Sequence, residues 1–201
     1  MASRIYLIRH GETEWSLSGQ HTGRSDIPLT ANGEDQARAL APWLERLSFA
    51  HVLTSPRQRA RRTCELAGLG AAAVVEPDLA EWDYGDYEGR RAADIRTARP
   101  DWSLWRDGCP GGESPGDVSS RTDRLIDRLD RLDGDIALFS HGHLSRTLAV
   151  RWIGLPVAQG RHLSLGVASL SCLGVDPSHP DARVIALWNA SPLAQNGQPP
   201  Q

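Results

Sequence analysis

Short apolar runs, separated by longer stretches with apolar residues at helical spacing, organise this chain. Ile5-Tyr6-Leu7-Ile8 is a β-branched and aromatic run that predicts a buried strand, and His51-Val52-Leu53-Thr54 predicts a second. Ala73-Val74-Val75-Glu76 predicts a third and Ile136-Ala137-Leu138-Phe139 a fourth. Between them Ala37, Leu40, Ala41, Leu44 and Leu47 mark one helical stripe, and Val118, Leu125, Ile126, Leu129 and Leu132 mark a long helix over 117–132. Shorter helices are expected over 91–99 and 144–153. Thr30 fits the N-cap of the first helix; Ser55 and Pro56 fit the cap and first position of the helix after the second strand. The runs 167–175 and 184–188, joined by the turn-rich Asp176-Pro177-Ser178-His179-Pro180-Asp181, predict a hairpin. Strand–helix alternation with right-handed crossovers predicts an α/β three-layer sandwich. Its central sheet is mostly parallel, with helices on both faces and a C-terminal antiparallel hairpin.

Bulk properties narrow this picture only slightly. A chain of 201 residues fits one domain with a proper core, expected over 1–191, while 192–201 lacks core-forming content and is expected to be disordered. A net charge of −3 argues against a nucleic-acid partner. Every basic residue is Arg, which excludes lysine Schiff-base chemistry. Cys64, Cys109 and Cys172 are odd in number and far apart, as reduced thiols are. No signal-peptide pattern precedes the first strand and no run approaches membrane-spanning length, so a cytoplasmic location without membrane contact is the expectation.

The ends of the strands carry the chemistry. The first runs into Arg9-His10-Gly11-Glu12, the second into Ser55 and Arg59, the fourth into Ser140-His141-Gly142. Parallel strands bring these ends to one sheet edge, where open α/β sheets bind ligands. There His10 offers an imidazole nucleophile and Arg9 and Arg59 offer planar forks for an oxyanion. Gly11 leaves room for a phosphate, and the helices after strands two and four aim free N–H groups at the same place. Glu81 and Glu88, in the intervening loop, are the acids expected near that pocket. A metal is disfavoured because the arginines would repel a cation, and no cofactor is called for.

Together Arg9-His10-Gly11-Glu12-Thr13, Ser55-Pro56-x-x-Arg59-Ala60-x-x-Thr63, Glu81 and His141-Gly142 resemble the histidine phosphatase superfamily, with its phosphoglycerate-mutase-like fold, over residues 4–190. Glu14-Trp15-Ser16-x-Ser18-Gly19-Gln20, the 81–89 segment, Trp105-Arg106-Asp107-Gly108-Cys109 and His141-Gly142-His143-x-x-Arg146 look most similar to its small sugar-phosphatase branch, with sedoheptulose bisphosphatase and bacterial acid phosphatases. Ser16 stands where mutases usually have Asn. The resemblance implies a metal-independent phosphatase of a small phosphorylated metabolite, a sugar phosphate or bisphosphate, working through a phosphohistidine. His10 would be the nucleophile, Glu81 the proton donor, and Arg9, Arg59 and a protonated His141 the clamps, with activity favouring mildly acidic pH.

The candidate phosphate- and substrate-binding residues are then Arg9, Ser16, Thr22, Gly23, Ser55, Arg59, Tyr84, Gly142 and Arg146. Ser55 also reads as a plain cap, and Arg146 as either a contact to a second phosphate or a surface arginine. Glu12 and Glu88 read as carboxylates that orient arginines, His143 and Cys109 as structural, and Trp15 and Trp105 as loop packing. A phosphoglycerate mutase and a non-catalytic phosphate-binding module are the competing readings. The terminal hairpin could pair two copies into a homodimer.

Overall fold

The computed structural model describes residues 3–192, so all but the first residue of the expected tail lies outside the described residues. Six strands form one sheet: β1 (Ile5–Arg9), β2 (His51–Thr54), β3 (Ala73–Val75), β4 (Ile136–Ser140), β5 (Leu170–Asp176) and β6 (His179–Ala190), in the order β3-β2-β4-β1-β5-β6. The first four run parallel; β5 lies antiparallel to β1, and β6 antiparallel to β5. The hairpin turns at Pro177 and Ser178, a tighter connection than the 176–181 loop expected from the sequence.

Among the described residues eight α-helices accompany the sheet: α1 (Glu14–Ser18), α2 (Ala31–Ala39), α3 (Ala41–Leu44), α4 (Gln58–Leu66), α5 (Ala92–Ala98), α6 (Leu104–Asp107), α7 (Pro115–Leu129) and α8 (Gly142–Trp152). Alternation along the strands decides the layers. Ile5, Leu7, Ile136 and Leu138 point into a core with Val118, Leu125 and Leu129 of α7 and Leu144 and Leu148 of α8. Tyr6, Ile8, Ala137 and Phe139 point the other way, onto Leu40, Trp43, Leu44 and Cys64. Both faces of the parallel strands are therefore covered, which explains why they read as continuous apolar runs rather than alternating ones. The first core extends beyond the helices: Trp82, Tyr84, Tyr87, Trp102 and Trp105 from the 80–105 excursion are all buried in it.

Two helix starts differ from expectation. Thr30 caps α2 as predicted, accepting from Gly33 N at 2.9 Å. The helix after β2 begins at Gln58 with Arg57 as its N-cap, so Pro56 is not its first position and Ser55 is not its cap. The three cysteines are free and buried, and burial raises their thiols to about 12, 12 and 11 for Cys64, Cys109 and Cys172, poor conditions for a nucleophile. Among the described residues no helix is long and apolar enough to cross a membrane.

Candidate active site

The ladder between β1 and β4 sets the site. Arg9 pairs with Ser140, so the next residues, His10 and His141, leave adjacent strands level with one another. Their rings face each other with centroids 5.2 Å apart at 61°. His10 Nδ1 donates to the carbonyl of Gly11 at 2.7 Å, which fixes the tautomer and leaves Nε2 with its lone pair free. Gly11 is itself held, its N–H donating to Thr63 Oγ1 at 3.0 Å. Burial, with Arg59 and Arg9 nearby, holds His10 well below the ordinary histidine value of 6.5. The imidazole is thus neutral and fixed, as a nitrogen nucleophile must be.

His141 departs from the expected protonated clamp. Arg59 Nε donates to its Nδ1 at 3.2 Å, so Nε2 carries the proton and donates to Ser55 Oγ at 2.7 Å. Burial first, then Arg59, His10 and Arg9, keep this ring well below its ordinary value, and it is neutral. Two guanidinium groups beside a buried imidazole make a further positive charge costly, and the hydrogen bonds accommodate that. Ser55, expected as a phosphate contact or a helix cap, does not line the cavity and fixes this tautomer instead.

Arg59 is buried and Arg9 half-buried, and desolvation lowers both. Arg59 also donates through Nη1 to Ser25 O at 2.9 Å and through Nη2 to Thr22 O at 2.8 Å, so it pins the loop after α1. Arg9 donates to Leu165 O, and its Nε is buried with no partner among the described residues. An unpaired buried donor at a strand end is an anion site in waiting. Gly142 lies against this guanidinium, where a Cβ would sit 3.4 Å from Arg9 Cζ.

The helix N-termini are not free for phosphate, contrary to expectation. Glu81 Oε1 accepts from Trp82 N at 2.9 Å and Leu144 N at 2.8 Å, and Oε2 accepts from His143 N at 3.0 Å, so the first turn of α8 holds this carboxylate. Asp26 Oδ1 accepts from Gln58 N at 2.8 Å and does the same for α4. Gly11 serves backbone packing rather than phosphate clearance: a Cβ there would lie 2.3 Å from Gly33 O. A cavity of about 70 Å³ remains, lined by Arg9, His10, Ser16, Gln20, His21, Thr22, Glu81, Tyr84, Gly142 and His143. Larger hollows, such as one of about 380 Å³ along Arg124, Asp127, Arg128 and Arg131, bring together no comparable chemistry.

Residues 5–190 match the family model of the histidine phosphatase superfamily (branch 1). The chain belongs to that superfamily. An acid phosphatase of Mycobacterium tuberculosis is 41% identical over 177 residues, 86% of this chain and 87% of that one. Sedoheptulose 1,7-bisphosphatase of Saccharomyces cerevisiae is 37% identical over 190 residues, 78% of this chain and 70% of that one. The GpmB protein of Photorhabdus laumondii, which carries a phosphoglycerate mutase name, is 34% identical over 178 residues, 84% and 83% of the two chains. The solved structure of a Mycobacterium tuberculosis open reading frame superposes with a TM-score of 0.88 at 39% identity, covering 94% of this chain and 98% of that one.

Within this histidine phosphatase fold the remaining candidates divide. Ser16, Thr22, Tyr84 and Gly142 reach the cavity. Gly23 does not: its N–H donates to Glu88, and a Cβ would meet Trp82 O at 2.6 Å, so it is glycine for packing. Arg146 does not either; its Nε donates to Gly160 O at 2.9 Å and its guanidinium lies 4.6 Å over the Trp105 ring. Neither Glu12 nor Glu88 orients an arginine by direct contact. Glu12 accepts from Thr30 Oγ1 and Asn32 Nδ2, while Glu88 accepts from Gly23 N and Ser25 N and so reaches Arg59 only through that loop. His143 is more than a structural residue, since its ring lines the cavity and its Nδ1 shares a hydrogen bond of 2.7 Å with Tyr84 Oη. His21 and Gln20 were missed. They sit in a glycine-punctuated loop with no periodicity, and only the polar character of that loop signalled them.

Proposed function

We propose that this chain is a metal-independent phosphomonoesterase acting on a small phosphorylated metabolite, a sugar phosphate or bisphosphate, through a phosphohistidine on His10. The observation that carries the reading is the neutral His10 ring, with Nδ1 tied to Gly11 O and Nε2 free, in a cavity shared with Arg9 and Glu81. In the first step the Nε2 lone pair attacks phosphorus, an N–P bond forms and the ester P–O bond breaks. The Glu81 carboxyl gives a proton to the leaving alkoxide and is left as the carboxylate. In the second step the Glu81 carboxylate takes a proton from water, the hydroxide attacks phosphorus and the N–P bond breaks. Inorganic phosphate and neutral His10 result.

Charge gathers on the equatorial oxygens in both steps, so fixed cations do most of the work. Arg9, with its unpaired Nε, is the direct clamp. Arg59 does not line the cavity; held by His141 and by the carbonyls of Thr22 and Ser25, it adds its charge from behind the site. The names of the acid phosphatase and sedoheptulose bisphosphatase relatives support hydrolysis. The GpmB relative favours a second reading, phosphoglycerate isomerisation.

Phosphate release from a panel of phosphorylated sugars and glyceric acids, with and without chelator, tests the proposal when isomer formation is followed in parallel. Chelator-insensitive release is expected. Isomer without free phosphate would make the chain a mutase, and neither product from any ester would make it a binding module.

A further inference from the structure

Away from His10, the wall of the same cavity is built from Ser16, Gln20, His21, Thr22, Tyr84 and His143. Their side chains are hydroxyls, an amide and imidazoles, and burial keeps both imidazoles neutral: His21 is lowered to about 4 and His143 lies well below its ordinary value. The arginines around this wall turn elsewhere. Arg146 is taken up by Gly160 O and the Trp105 ring, Arg96 Nε donates to Trp102 O at 3.1 Å, and Arg24 pairs with Asp83 at 2.5 Å. Among the described residues lining the cavity, Arg9 is the only guanidinium, and it belongs to the phosphate end.

His21 is the most firmly placed group on this wall. Its ring stacks on Tyr84 with centroids 4.5 Å apart at 18°, and Trp102 meets it edge-on at 5.8 Å. Its backbone is fastened on both sides, N–H to Arg90 O and carbonyl to Gly89 N. The ring orientation is therefore fixed, yet Nε2 is buried with no hydrogen-bond partner among the described residues. A buried polar atom left unpaired by an otherwise ordered neighbourhood calls for a ligand group.

We infer, on the phosphatase reading above, that this wall is a leaving-group subsite for a neutral, polyhydroxylated group, that the substrate is a sugar or polyol monophosphate, and that His21 is a specificity-determining residue. A neutral imidazole offers one donor and one acceptor, so a hydroxyl satisfies it either way. A carboxylate or second phosphate there would shed its hydration without a guanidinium hydrogen bond in return, since Arg146 and Arg96 are bonded elsewhere and Arg9 serves the phosphate end. Discrimination of this kind is strong, because a substrate lacking the hydroxyl leaves the imidazole unpaired.

The test compares kcat/KM for a hexose monophosphate, a hexose bisphosphate, 3-phosphoglycerate and p-nitrophenyl phosphate in the native chain, His21→Phe and His21→Lys. The native chain is expected to favour the monophosphate over both doubly anionic esters by about tenfold or more. His21→Phe should lower the ratio of sugar to aryl ester about tenfold, and His21→Lys should move preference toward phosphoglycerate. Equal or better turnover of the bisphosphate or phosphoglycerate by the native chain overturns the proposal, as does a uniform fall on all four esters in His21→Phe. If no ester is hydrolysed, the phosphatase reading fails separately. The subsite is then read by calorimetry of hexose monophosphate binding, which should be weakened about tenfold by His21→Phe, and an unchanged affinity overturns it.

Discussion

The two ends of the cavity are made differently. One end is built where strands stop: Arg9 ends β1 and His10 follows it, Gly142 comes two residues after β4 with His141 packed behind the cavity, and the β1–β4 register fixes them relative to one another. It is cationic and buried, with rings held in one tautomer. The other end is built from Ser16 of α1, the loop residues Gln20, His21, Thr22 and Tyr84, and His143 from the first turn of α8, and its lining side chains are polar and uncharged. The first end suits a group common to all phosphate esters, the second the part in which they differ. Mutations should separate the two.

The largest effect is expected at the strand ends. His10→Ala should lower kcat about 10⁴-fold or more for every ester, because no other group in the cavity replaces the nucleophile. Retained turnover would remove the nucleophile from the account. Arg59→Ala should cost on the order of 3 kcal/mol in transition-state stabilisation, roughly 10²-fold in kcat/KM. A lowered Tm should accompany it, since the same guanidinium holds the carbonyls of Thr22 and Ser25. Glu81→Gln sits at the boundary between the ends. It should lower kcat about 10²-fold for sugar phosphates and much less for p-nitrophenyl phosphate, whose leaving group needs no proton. Equal losses on both would take the acid role from Glu81.

The pH profile sharpens the comparison from the other side. His10 must be neutral to attack, and burial beside two arginines holds it well below 6.5, so kcat/KM should persist as pH falls through that value and decline only further down. An acid limb at or above 6.5 would contradict the geometry. Stability moves in the opposite sense. His10, His21, His141 and His143 all have lowered values in the folded protein, so the unfolded chain binds protons first as pH drops. Their contribution to stability is complete above about 6.5 and is lost as pH falls toward the folded values. Calorimetric scans at pH 7 and pH 5 should show the Tm falling by at least a few degrees, roughly. The smallest effect is reserved for Arg146→Ala: a loss of about 1 kcal/mol of stability from its Trp105 stack, with kcat/KM changed less than about threefold.

Much of this was legible in the sequence because strand ends carry a signal. Apolar runs followed at once by Arg9-His10 or His141-Gly142 locate both the strand and the edge where its last residues emerge, and the parallel crossover rule does the rest. Ser55 lies at that edge as its sequence position implies, but neither the cap nor the phosphate contact reveals its bond to His141, which spans 86 positions. The same blindness to distant partners explains the helix N-termini: nothing near Gly142 or Gln58 announces that Glu81 and Asp26 will occupy them. A charged His141 follows from a phosphate-facing role alone; its two arginine neighbours, distant in sequence, reverse that. The loop wall, His21 above all, was illegible because loop conformation follows from contacts with the 84–90 segment and not from any period.

The central claim is that His10 carries the phosphoryl group between the two steps. It is tested most directly by mixing the enzyme with a radiolabelled phosphate ester, quenching in base within milliseconds and mapping the labelled peptide. The account predicts base-stable, acid-labile label on the peptide containing His10, absent from His10→Ala. Steady turnover of the native enzyme with no covalent label, and inversion at phosphorus, would contradict it.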